Sequence, residues 1–404
     1  MEYTLKIKQF TPVLHFQEDA QAPIRATELK PKLDRFILAG YKDRVKDNFL
    51  IKTPNEGTKA LNYKVSIVTE GCNRMHVTNK SRKPPMFFGD EKCPLMAFGN
   101  ERKVTINFFS RNADVINLLK DLDWLSFFLA NNFGTRQDKG YGSFLPDNAD
   151  IKNLTDKMGK TISPDNGLRL DSYFTVGSQA NQWEAVMARI ENVAKCMRSG
   201  INFGGIYCKS LMFAYAGKKH SDGKRYFWDK RFIKEKFYLQ DVFRQRKEHP
   251  KSEELKEIEN SGKQLEAYLF RDYLGLSTVE SWMKPYNSEI KKTCNRDIVR
   301  FKSPLLFKPV YLSGKWYIFL LHKEIPEEFK QARVTVKDNK NHSANLTPFP
   351  QFSMADYLNF LFNKNMQYPQ YMTSNKMESK KKVQNIISDF ECLKNNYKTI
   401  VNTQ

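Results

Sequence analysis

The chain has 404 residues, 40% of them apolar and 27% charged, which fits two or three domains with a substantial core and excludes a disordered chain. Its 66 Lys and Arg against 45 Asp and Glu leave a net charge of +21, a surplus that repels itself in a compact fold and points to a polyanionic partner. The longest apolar run, around Trp316–Leu321, falls far short of the roughly 18–20 residues of a membrane span, so no membrane partner is expected.

Six dispersed cysteines, and an N-terminus (MEYTLKIKQF) without the regions of a signal peptide, suit a reduced cytoplasmic protein. Cys72, His76 and Cys93 alone hint at a metal. Three ligands without a fourth nearby make a poor zinc site, so no metal or other cofactor is expected.

Tyr3–Phe10 alternates polar and apolar residues, the period of a half-buried strand. An irregular stretch from His15 to Pro23 leads into a helix with Thr27 as its predicted N-cap and Leu33, Phe36 and Ile37 on its apolar face. Two strands follow, over Asn62–Thr69 and Lys103–Phe109, and then one amphipathic helix over Asp114–Ala130. With a further strand after a glycine-rich segment, the order is βαββαβ, which predicts an α+β, ferredoxin-like first domain over residues 1–165.

A second domain is expected over 166–404, opening with a strand at Asp171–Gly177 and a helix over Gln182–Arg198. Residues from about 215 to 300 read as a largely helical, polar insertion. Ser303–Tyr311 and Lys315–His322 flank Ser313-Gly314 as the best β-hairpin in the chain. Two helices, Met354–Asn363 and about Lys376–Lys394, end it. The predicted whole is two ferredoxin-like domains in tandem, the second decorated with the insertion.

Three segments could carry chemistry. Between Phe133 and Phe144, three glycines (134, 140 and 142) surround Arg136, Lys139 and Tyr141. Glycines permit positive φ, so consecutive amides can turn toward a phosphate while the basic side chains neutralise it and the tyrosine stacks on a base. The spacing is not that of a P-loop, and no strand precedes it as a dinucleotide fingerprint requires. The second segment gathers Arg25, Lys30, Lys32 and Arg35 near a helix N-terminus, itself suited to phosphate. The third, Gly217–Lys247, holds eleven basic residues and seven aromatics in 31 positions. Lys218, Lys219, Lys224 and Arg225 form its basic turn.

The first two segments together resemble a known family. A strand ending in Thr11-Pro12, a loop, and then Ile24-Arg25-Ala-Thr27-Glu-Leu-Lys30-Pro-Lys32-Leu-Asp-Arg35 is similar to the pattern Ile-x-x-Ser/Thr-x-Leu-Lys-Gly-x-Leu-Arg of CRISPR-associated RAMP proteins. Pro31 stands where that family usually has Gly. Gly134–Ser143 is similar to the glycine-rich loop of the superfamily, and Ser303–Pro309 leading into a hairpin resembles the second half of the large head subunit of type III-B (Cmr) effector complexes. The resemblance implies two ferredoxin-like domains and a non-catalytic RNA-binding role in antiviral defence. The implied partners are CRISPR guide RNA, target RNA and other RAMP subunits. It also implies that Arg25, Thr27, Lys30 and Arg35 lie by the RNA path, supported by the loop.

Two enzymatic alternatives stay open at this point. Backbone-type RAMP subunits cut target RNA with an Asp in the loop after the first strand, where Asp19 stands. RAMP processing ribonucleases use a histidine near the first helix, for which His15 is the candidate. The late position of the glycine loop in such enzymes argues against the second, because about 260 residues follow it here. An unrelated nucleic-acid-binding protein sharing only the basic composition is the remaining reading.

Overall fold

The computed structural model describes all residues except 16–22, 52–59, 77–94, 100–101, 178–181, 204–205, 238–266, 277, 283–287, 296–297, 299–300, 372–376 and 401–404. It is a mixed α+β structure built on antiparallel sheets.

The alternation in the first segment does what it predicts. Strand β1 (Glu2–Gln9) buries Leu5, Ile7 and Gln9 and exposes Thr4 and Lys6. Strand β2 (Val13–His15) and helix α1 (Ala26–Gly40) follow, then β3 (Lys64–Val68), β4 (Cys72–His76), β5 (Leu95–Gly99) and β6 (Lys103–Phe109). Helix α1 buries Leu29, Leu33, Phe36 and Ile37, a stripe at helical spacing. Its N-cap is Arg25, which makes no side-chain cap bond. Thr27, predicted to cap, instead lies exposed in the first turn, because the helix begins two residues earlier.

The predicted single helix over 114–130 is two, α2 (Ala113–Lys120) and α3 (Trp124–Ala130). Asp123 breaks it: its carboxylate accepts from the amide and hydroxyl of Ser126 at 3.0 and 2.7 Å, which starts a new helix there. The apolar stripe runs on across the break, so periodicity alone hides it. Strand β7 (Phe144–Pro146) completes a four-stranded sheet in the order β3-β6-β1-β7, with α1 joining β1 to β3 and α2–α3 joining β6 to β7. The core beneath it is aromatic: Phe108 packs against Tyr3, Tyr63 and Trp124, and Phe127 against Phe36. Each such side chain contributes about 1.5–3 kcal/mol on burial. Strands β2, β5 and β4 form a small separate sheet that the sequence pattern did not announce.

Helix α4 (Ile151–Thr155), β8 (Thr161–Ser163), β9 (Leu168–Val176) and α5 (Trp183–Arg198) come next. Then follow β10 (Ile201–Phe203), β11 (Ile206–Cys208), α6 (Leu211–Gly217), β12 (Phe227–Trp228), α7 (Asp229–Phe237), β13 (Ala267–Tyr268), β14 (Val279–Trp282) and β15 (Ser288–Cys294). The expected hairpin is β16 (Leu305–Leu312) and β17 (Lys315–His322). Its two-residue turn has positive φ at both Ser313 and Gly314, matching the twist of the strands. Helix α8 (Glu327–Lys330), β18 (Val334–Asp338), β19 (Ser343–Leu346), α9 (Met354–Leu361) and α10 (Met377–Asn396) close the chain.

The chain divides into two compact units. The first comprises Met1–Val193, Leu305–Glu324 and Ser388–Gln404. It therefore holds a second sheet, β16-β17-β9-β8, in which the hairpin pairs with β9. The division expected at 165/166 falls inside this unit. At the sheet's end His322 meets Asp171 at 2.6 Å, both buried, with Arg169 also beside Asp171. Burial alone would lower the imidazole, but hydrogen bonds and charge from Asp171 and Glu324 raise it to about 9.

The second unit comprises Ala194–Pro304 and Ile325–Ile387. Its sheet runs β14-β15-β18-β19, over a core of Ile233, Phe237, Leu269, Ile290, Val334, Val336, Ala344 and Leu346. Among the described residues of 215–300, strands β12–β15 accompany helix α7, while 238–266, the middle of the expected helical insertion, lie outside the described residues. One strand of this sheet carries a buried charge. Lys292 is wholly buried in β15, held by Asp272 at 2.7 Å and Glu280 at 2.9 Å, with Arg271 bridging Asp229 and Glu280. Lys292 shares the buried face of β15 with Ile290, while Glu289, Lys291 and Thr293 are exposed, so the strand's sequence reads as polar.

Candidate nucleic-acid interface

The glycine-rich loop is a knot of internal bonds. Gly134, Gly140 and Gly142 all have positive φ, as expected. A Cβ on Gly142 would collide with the Phe133 carbonyl, and one on Gly134 with the Leu14 carbonyl at 2.7 Å. The amides, however, turn inward. Gly134 donates to both oxygens of Glu28 at 3.0 Å, Thr135 to Leu14, Gly142 to Pro12, and Ser143 to the Thr11 hydroxyl. The expected phosphate cradle is thus already filled, and the carboxylate of Glu28 stands where an external anion was predicted.

The two basic segments meet here, 106 residues apart in sequence. Lys32 donates to Glu28 at 2.9 Å, to the Asn132 carbonyl at 2.7 Å and to Gln137 at 2.9 Å, beneath the Phe133 ring. Gln137 in turn donates to Glu28. Lys30 bonds Asp34 and the Leu61 carbonyl and lies over the Tyr63 ring. Tyr141 is fully buried, and burial pushes its hydroxyl far above the ordinary range. Lys30, Lys32 and Tyr141 are therefore joints of the fold, and Tyr141 in particular cannot stack on a base.

Sequence reasoning missed the residue beneath them. Lys308 of β16 is fully buried, donating to the Asn131 carbonyl at 2.9 Å and to Asn132 Oδ1 at 3.0 Å. Burial and the nearby Lys32 hold it well below the usual lysine range. The available signal was a lone lysine inside the apolar strand Leu305–Val310.

What remains at the surface is a rim. Arg35 and Thr27 are exposed; Arg25, Arg136 and Lys139 are half-buried, Lys139 beside Asp138 at 3.1 Å. Arg136 adopts a left-handed backbone, φ 56°, unusual for a residue with a side chain and costly without a reason. The amides of Ala26 and Thr27, at the uncapped start of α1, have no acceptor among the described residues. The helix dipole adds positive potential at the same place.

In the second unit, the turn after α6 is held by His220 and Lys224 backbone bonds. Lys218 leans inward to Asp356 at 2.9 Å and over the Tyr215 ring, while Lys219, Lys224 and Arg225 are exposed. His220 is buried among Tyr215, Tyr226 and Phe349. Burial, with Lys218 nearby, lowers its imidazole.

Asp19 lies outside the described residues, as does the side chain of His15 on β2. Cys72 and His76 both fall on β4, and Cys93 lies outside the described residues. Among the described residues no cluster of His, Cys, Asp and Glu could hold a metal ion. None of the described helices is long and apolar enough to cross a membrane.

Family comparison places this geometry. Residues 1–201 match the Cmr1 N-terminal domain and residues 207–385 match the Cmr1 C-terminal domain. The chain belongs to the Cmr1 family. As a Cmr1-family protein it is a RAMP subunit of a type III-B Cmr effector complex, which serves CRISPR defence alongside other subunits. The first match spans β1–β9, the loop and α5, so every residue of the rim lies within it. The search of curated proteins finds no match.

Proposed function

We propose that this chain is a non-catalytic, cytoplasmic RNA-binding subunit that caps a Cmr complex and contacts guide and target RNA through the rim of α1 and the glycine loop. The observation that carries it is the meeting of an uncapped helix N-terminus with the loop, which sets Arg25, Arg136 and Lys139 near helix amides that have no acceptor among the described residues, with Arg35 exposed further along α1. Backbone amides, a helix dipole and arginines together suit phosphate. The exposed Lys219, Lys224 and Arg225 supply a further basic surface in the second unit.

Both four-stranded sheets of the first unit support the ferredoxin-like reading. In β3-β6-β1-β7 the last strand of βαββαβ lies beside the first. In β16-β17-β9-β8 the same pattern recurs, with β8, which precedes β9 in the chain, at the fourth position.

The test is a full chain carrying Arg35→Ala, Arg136→Ala and Lys139→Ala. Weaker binding to single-stranded RNA, with unfolding unchanged, supports the proposal; unchanged binding and unchanged complex assembly refute it. The nuclease alternative is tested in an assembled complex where only this chain carries Asp19→Ala or His15→Ala. Loss of a cleavage product from labelled target RNA would replace the non-catalytic reading.

A further inference from the structure

The first sheet has two faces, and the helices use only one. Leu5, Ile7, Val104, Ile106 and Phe108 point into the core. The registers place the opposite side chains in rows. Glu2, Phe109 and Lys64 form the first; Thr4, Asn107 and Ser66 the second; Lys6, Thr105 and Val68 the third; Lys8 faces Lys103 in the fourth. On the far side of β1, Leu145 of β7 is buried, so the open platform is three strands wide.

This face has the character of a nucleic-acid platform. Lys6, Lys64 and Lys103 are exposed and Lys8 is half-buried; among the paired strand residues of this face the one carboxylate is Glu2, and the exposed Glu70 follows two residues after Val68. Phe109 is 42% exposed and Val68 50% exposed on the same face. An aromatic ring on an open sheet, flanked by lysines, is the arrangement on which single-stranded bases stack. In the middle row the Thr4 hydroxyl donates to Asn107 Oδ1 at 2.9 Å, which orients the Asn107 amide NH2 beside the exposed Ser66 hydroxyl as groups for sugar and base edges.

We infer that the open face of β3-β6-β1 binds single-stranded RNA, with Phe109 stacking a base and Lys6, Lys8 and Lys64 neutralising phosphates, as a surface separate from the rim of α1 and the loop. RNA is favoured over a protein partner because the face carries net positive charge and few apolar side chains.

The experiment titrates the purified full chain with a fluorescent oligouridylate across a salt series. Four proteins are compared: wild type, Lys6→Ala/Lys8→Ala/Lys64→Ala, Phe109→Ala, and the Arg35/Arg136/Lys139 alanine variant. The lysine variant should lower the salt slope by about 0.7 for each lysine. Phe109→Ala should weaken binding about tenfold with its slope unchanged. These positions are exposed, and thermal unfolding confirms that the variants fold. If the lysine and Phe109 variants bind as wild type does while the rim variant is weakened, the face inference fails and the rim reading stands. If the face variants are weakened and the rim variant is not, the reverse holds. Normal RNA binding with loss of assembly into the complex would make the face a protein-docking surface and overturn the inference, as would a wild-type chain that binds no oligouridylate at low salt.

Discussion

Two basic regions of the first unit are alike in composition and opposite in use. At the joint between α1 and the glycine loop, Lys30, Lys32 and Lys308 end on carbonyl, amide and carboxylate oxygens of the chain itself. On the open face of the first sheet, Lys6, Lys8 and Lys64 form no ion pair among the described residues. The difference lies in backbone geometry. The loop folded onto α1 brings Glu28, Gln137 and the Asn132 carbonyl to Lys32, and the chain entering the loop brings Asn131 and Asn132 over Lys308. The strands of the open face, in contrast, have spent their backbone groups on the ladder, and nothing among the described residues is folded over them to meet their outward lysines. Positive charge in a sequence therefore says little about its partner until the backbone around it is known.

The joint is best broken at Gly142. Gly142→Ala places a Cβ against the Phe133 carbonyl at φ 67°, and backbone cannot yield there. A loss of about 4 kcal/mol or more is expected in urea unfolding, large enough to deplete the folded protein. Gly167→Ala is the contrast. It has the same sign of φ but meets nothing within 4 Å, so only the left-handed backbone term of about 1–2 kcal/mol applies.

The hairpin that carries Lys308 also ends in the His322–Asp171 pair, which gives the first unit a pH dependence. Its folded pKa, about 9, lies above the ordinary 6.5. Its contribution is complete below about pH 6.5 and is lost as pH rises through about 9, a change on the order of 3 kcal/mol. Urea unfolding at stepped pH should show stability falling across that window. His322→Gln should flatten the profile, and an unchanged slope in that variant would assign the dependence elsewhere.

Lys308→Met sharpens the comparison further. It keeps the length of the side chain but leaves the Asn131 carbonyl and Asn132 Oδ1 without their donor. A loss of about 2 kcal/mol is expected. Alanine at Lys6 or Lys64, in contrast, should change stability by less than about 0.5 kcal/mol, because exposed lysines hold nothing in place.

Much of this was legible in the sequence where one face of an element is buried. Strands β1, β6 and β9, helix α5 and the β16–β17 hairpin show their periods plainly, and the turn residues Ser313 and Gly314 mark the hairpin. The break between α2 and α3 was hidden, since Leu119, Leu122 and Trp124 keep the apolar stripe continuous across Asp121 and Asp123. The second unit's sheet was hidden by Lys292, a buried charge whose partners come from Asp272 and Glu280. At the site, the two segments that meet were both recognisable. Which lysines point inward was not, because Glu28, Asn132 and Gln137 are their partners only once the loop has folded onto α1.

The central claim is that the outward-facing basic residues bind RNA through its phosphates. The most direct measurement is the salt dependence of single-stranded RNA binding by the intact chain. The account predicts log affinity falling linearly with log salt, by about 0.7 for each phosphate neutralised, and therefore a slope of several units. Affinity that stays flat from low to high salt would contradict it.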